Sequence, residues 1–92
     1  MDNQKFVELA KKAVVNYFNS HKEITDEGRL TSKDVLISWT CALSNRVLLK
    51  TTFSDEIRYE VFCDDGKKMH IGVYKNYEKV DSECINIIMC QN

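Results

Sequence analysis

The side chains with the most chemistry to offer in this 92-residue chain are His21, His70, Cys41, Cys63, Cys84 and Cys90. A thiol becomes a working nucleophile when a neighbouring imidazole takes its proton. Cys63 and His70 flank the turn at 64–68 and could face one another across it. Counting along alternating strands, however, sends Cys63 inward and His70 outward, so the expectation is a buried thiol and a solvated imidazole. Zinc would draw on Cys and His at short paired spacings such as C-x2-C. The cysteines stand 22, 21 and 6 positions apart, which reads as reduced core thiols and no metal centre. A Gly-rich phosphate loop, a G-x-S-x-G elbow and an H-E-x-x-H pair are all missing. The expectation is a protein that is not an enzyme and needs no cofactor.

Binding chemistry is better represented. On strands read with period two, one sheet face would display Ser38, Thr40, Lys50, Thr52, Arg58, Glu60, Phe62, His70 and Tyr74. Lys50 and Arg58 could hold a phosphate, Phe62 or Tyr74 could stack on a base, and Thr40 and Thr52 could orient it. The plainer alternative is the wet side of a two-layer fold, with Lys50 or Arg58 paired to Glu60 across strands. Leu36 and Leu48 fall on this same face, and with Phe62 they suggest cover by a second subunit or a target.

Positioning such a face requires a helix and a sheet. Phe6, Leu9, Ala10, Ala13, Val14, Tyr17 and Phe18 recur at helical spacing and predict an amphipathic helix over 3–19, capped by Asp2 or Asn3. Periodicity stops over 20–34, a loop with Ile24 and Leu30 as anchors and a helical turn at Thr31–Asp34. Alternation then predicts strands at 35–43, 46–53, 57–63 and 69–77. Their inward sets are Val35, Ile37, Trp39, Cys41 and Leu43; Val47, Leu49, Thr51 and Phe53; Ile57, Tyr59, Val61 and Cys63; and Met69, Ile71 and Val73. Ser44-Asn45 and Asp64-Asp65-Gly66-Lys67 supply turns. The apolar run Cys84–Cys90 reads as a fifth strand or as a segment that pairs with a second copy. The expected architecture is a single α+β domain over 1–92, with the N-terminal helix packed on a four- to five-stranded antiparallel meander.

Thirteen basic against fourteen acidic residues leave a net charge of −1, without the basic excess that nucleic-acid binders advertise. The opening Met1-Asp2-Asn3-Gln4-Lys5 lacks a secretion pattern, and no stretch reaches the ~18 apolar residues of a bilayer span. The expectation is a cytoplasmic protein with no membrane partner.

Trp39-Thr40-Cys41, Asn45, Leu48-Leu49, Thr51-Thr52, Asp55 and Tyr59-Glu60-Val61 resemble a family of small proteins of unknown function from phages and prophages of Gram-positive bacteria. The resemblance covers nearly the whole chain and supplies no catalytic residues. It implies a setting, the host cytoplasm, and a role: an accessory protein that binds and inhibits or sequesters a host factor. The alternatives are a binder of a small nucleotide signal, held on the open face or between two subunits of a homodimer, and a weak single-stranded nucleic-acid binder.

Overall fold

The computed structural model describes residues 3–21, 30–41, 45–64 and 68–86. Helix α1 (Asn3–His21) buries Phe6, Ala10, Ala13 and Val14, positions three to four apart that form one stripe. Ala10 and Ala13 let the helix axis approach the sheet, while Lys12 and Asn16 stay in water. The stripe at 3–19 is therefore as the spacing predicts, and the helix runs two residues further.

Asn19 fixes where the chain returns. Its Nδ2 donates to Leu30 O at 3.0 Å, and the Leu30 N–H donates to its Oδ1 at 2.9 Å. One side chain thus satisfies both backbone groups of Leu30, whose own side chain is buried. Leu30 is the anchor expected of it; Ile24 lies outside the described residues. A single 3-10 turn, Ser32–Asp34, follows. The Asp34 carboxylate accepts from the Thr31 N–H at 3.1 Å, the Thr31 hydroxyl at 3.0 Å and the Thr52 hydroxyl at 3.3 Å. Those donors, the Thr31 backbone first, hold its carboxyl below the ordinary range.

Five antiparallel strands follow in spatial order equal to chain order: β1 (Val35–Cys41), β2 (Arg46–Thr51), β3 (Ser54–Asp64), β4 (Lys68–Lys75) and β5 (Glu78–Asn86). The α+β meander is as the alternation predicts. Val35, Val47, Leu49, Thr51, Tyr59, Val61, Met69, Ile71 and Val73 form the buried face beneath α1. Burial of each large aliphatic among them contributes roughly 1.5–3 kcal/mol. Tyr59 meets Tyr17 edge-on at 6.1 Å, and Phe53 meets Phe18 at 5.6 Å. Tyr17 also donates its hydroxyl to Asp81 of β5, tying the helix to the far strand.

Three irregularities depart from strict alternation. In β1 the pairing runs Ile37 with Leu49, then Trp39 with Leu48, so Ser38 is an extra residue in a bulge. Residues directly opposite one another share a sheet face. Val35 therefore faces α1, whereas Trp39 and Cys41, opposite Leu48 and Arg46, face away from it. The expectation of an inward Trp39 and Cys41 is overturned; Trp39 is 53% exposed. Ile37 keeps its inward register but is 45% exposed at the sheet edge. Leu43 and the Ser44 turn position lie outside the described residues. Between β2 and β3, Leu49 pairs with Tyr59 but Thr51 with Ser54, so β3 starts earlier than predicted and is bowed over Asp55–Arg58, where it has more residues than the facing stretch of β2. Thr52 and Phe53 form the turn instead of extending β2.

The third irregularity is in β5, where Val80 is skipped between the Val73–Asp81 and Tyr74–Lys79 pairs. That strand begins at Glu78, well before the predicted 84, because β4 ends at Lys75 and Asn76 and Tyr77 turn the chain. Both turn residues have positive φ, 53° and 70°, as the tight hairpin turns that match strand twist require. Positions 87–90 of the predicted tail strand lie outside the described residues, as does the 65–67 turn.

Candidate functional site: the helix-free face of the sheet

The face opposite α1 is organised in cross-strand rows. One row runs Cys41–Arg46–Phe62–His70–Cys84 and the next Trp39–Leu48–Glu60–Gly72–Ser82. Leu36 stands opposite Lys50, and Arg58, Tyr74 and Lys79 line up beyond.

In the first row the Arg46 guanidinium lies 4.7 Å above the Phe62 ring, and His70 stacks on Phe62 at 4.8 Å with 15° between planes. Arg46 Nη1 also bonds Glu60 Oε2 at 3.0 Å. His70 Nε2 donates to Asp64 Oδ2 at 2.8 Å, and this bond, with the imidazole's charge, keeps the Asp64 carboxyl below its usual range. Cys63 pairs with Met69 on the helix side, so it and His70 sit on opposite faces, as the alternation predicts. Cys41 and Cys84 share the face of His70, and Cys84 stands directly opposite it. Among the described residues no cluster of three or more His, Cys, Asp or Glu could hold a metal ion.

A groove of about 560 Å³ opens beside these rows. Leu48 and Tyr74 line it together with Tyr77, which is fully exposed on the turn. Asp55, Glu56 and Glu60 line it against a single cation, Arg58. Arg58 is folded onto the bowed start of β3, donating to Asp55 O at 2.6 Å and Ile57 O at 3.2 Å. Tyr74 and Lys79 pack closely over Gly72: a Cβ there would meet Tyr74 Cε1 at 3.2 Å and Lys79 Cε at 3.4 Å, so one of them would have to shift by a few tenths of an ångström.

Of the residues singled out from sequence, Lys50, Arg58, Phe62, His70 and Tyr74 share this face. Thr40 and Thr52 do not. The Ser38 bulge pairs Thr40 with the buried Val47 and so turns it to the helix side, and Thr52 is in the β2–β3 turn, bound to Asp34. The ion pair predicted for Glu60 with Lys50 or Arg58 is made by Arg46 instead. Sequence reasoning also missed Trp39 and Tyr77 as surface residues. Asn76 was the available signal for Tyr77, since Asn favours the left-handed region that a turn needs. Nothing in the residue pattern marks the bulge that exposes Trp39.

Residues 7–87 match a family of unknown function, DUF6275. The chain belongs to DUF6275. No curated protein and no solved structure matches it. The match spans all five strands of this DUF6275 chain and all but the first four residues of α1. Among the described residues of the DUF6275 chain, no helix is long and apolar enough to cross a membrane.

Proposed function

We propose that this chain is a non-enzymatic binding module that uses the helix-free sheet face to hold a protein. In the setting implied by the phage-family resemblance, that protein is a host factor which the module occupies and blocks in the host cytoplasm. The observation that carries the reading is Trp39, turned out of the core by the bulge and 53% exposed beside Leu36 and Leu48. Large apolar groups gathered on one face, bordering a groove, are the composition of a protein contact and a poor one for a face that meets only water.

Local chemistry weighs against the nucleotide and nucleic-acid alternatives. The groove sets three carboxylates against one guanidinium that is already bonded to backbone carbonyls, which suits a cationic side chain better than a phosphate. Phe62 is flanked by Arg46 on one strand and His70 on the other, so its ring offers a base no free side.

Affinity capture from host lysate at low salt tests the proposal. The wild type and the helix-surface variant Lys12→Ser should retain the same stoichiometric protein, and Trp39→Ser with Leu48→Ser should lose it. Retention by the face variant, or no stoichiometric protein in any arm, rejects the proposal. A nucleotide-induced thermal shift abolished by Arg58→Ala would favour the small-ligand alternative.

A further inference from the structure

The two edges of this sheet are built differently. β5 carries Glu78, Lys79, Asp81 and Glu83 in nine residues and is interrupted at Val80. Charges and irregularities of this kind keep an edge strand from pairing with a foreign one. β1, Val-Leu-Ile-Ser-Trp-Thr-Cys, has no charged residue, no proline and no glycine. It is also the strand that exposes large apolar side chains on both sides of the sheet: Leu36 at 42% and Trp39 on the open side, Ile37 on the helix side.

We propose that β1 pairs with β1 of a second copy, antiparallel and about a two-fold axis between Ile37 and Ser38, joining two five-stranded sheets into one of ten strands. The bulge makes the faces agree. In this register Val35 lies opposite Thr40 of the second copy, and both face the helix layer. Leu36 lies opposite Trp39 of the second copy, and both face the open side. A strand without charge opposes itself with no like-charge repulsion, which selects a second copy over a partner chosen by charge pattern. The two Leu36–Trp39 pairs then form one apolar cluster at the centre of a doubled open face.

Seven residues at about 3.4 Å each make an edge about 24 Å long. Such a contact falls at or below the ~800 Å² per partner of a standard interface. The dimer is expected to come apart on dilution.

Sedimentation velocity from low micromolar to millimolar protein should show the mass rising from 10.7 kDa toward twice that value. Ile37→Lys, which adds a charge at a half-exposed edge position, should raise the dissociation constant on the order of tenfold or more. Val80→Lys on the opposite edge should leave it unchanged. Leu36→Cys combined with Trp39→Cys should cross-link into a dimer under mild oxidation, since opposed Cβ atoms stand about 4.5–5.5 Å apart. For the unaltered chain, amide exchange at β1 should slow with rising concentration, so the proposal survives a variant that fails to fold. A monomer at every concentration, a dimer untouched by Ile37→Lys but lost in Val80→Lys, or a β1 that accepts only a strand of another protein overturns it. These outcomes are read without the host partner, so they stand apart from the fate of the binding-module reading.

Discussion

Replacing Trp39 by lysine separates the bulged β1 from a regularly alternating one. A fully enclosed tryptophan buries roughly 150–250 Å². At 53% exposure about half of that, ~100 Å², is withdrawn from water, which corresponds to about 2.5 kcal/mol at ~25 cal/mol per Å². Residual burial in the unfolded chain lowers the figure, and the lysine stem recovers part of the contact while its ammonium stays in water. The expected loss for Trp39→Lys is thus about 1–2 kcal/mol. A tryptophan pointing into the core would leave a cavity and a buried ammonium, at a cost well above about 4 kcal/mol. Urea unfolding followed by far-UV circular dichroism at low micromolar protein measures the difference. Trp39 is the only tryptophan, so native fluorescence gives a second reading: red-shifted emission, freely quenched by acrylamide. Deleting Ser38 should change neither, because the pairs Ile37–Leu49 and Trp39–Leu48 survive its removal. A loss above about 4 kcal/mol, or blue emission protected from quencher, refutes the bulge and with it the exposed-face argument.

Asn19→Ala leaves both backbone groups of Leu30 without the partner that clamps them and should cost about 1–3 kcal/mol in the same unfolding assay. Tyr17→Phe tests the alkaline limb of stability. Burial first, and then the Asp81 carboxylate, raise the Tyr17 phenol above its ordinary value. The folded chain therefore holds a proton that the unfolded chain releases above about pH 10, and stability falls as pH rises beyond that point. The phenylalanine variant should lose less stability over that window. Tyr77→Gly relieves a side chain held at φ 70° and should raise the melting temperature, while weakening any ligand captured by the groove. Exposed Cys84 should react with iodoacetamide ahead of half-buried Cys41 and Cys63 in a Cys90→Ser background, as mapped by peptide mass spectrometry.

The helix stripe, the strand count and the antiparallel order follow from periodicity, because core burial punishes any slip of phase at Val47, Leu49, Val61 or Ile71. The face residues Lys50, Arg58, Phe62, His70 and Tyr74 were legible for the same reason: they fill the alternate positions of strands that keep their phase across the sheet centre. Thr40 and Trp39 were not. Alternation assumes one residue per step, and one added serine at a sheet edge shifts every position after it. The first half of β5 was hidden by a different cause. Glu78, Lys79 and Asp81 are poor strand formers, and their place in the sheet comes from pairing with β4 and from the Tyr17–Asp81 bond.

Those unfavourable residues and the added serine bear on the same question, how the sheet treats its two ends. At β5 the chain accepts weak strand propensity to keep the edge charged, a choice that serves a boundary meant to stay open to water. At β1 it does the opposite, keeping strong strand formers with no charge and turning the largest side chain of the protein outward. The bulge places both Leu36 and Trp39 on the open side, and so sets the two-fold axis between Ile37 and Ser38. Without Ser38 the strand alternates regularly through Ile37 and Trp39, so its deletion should leave Trp39 exposed and move the two-fold axis onto Ile37, with Leu36 still opposite Trp39 of the second copy.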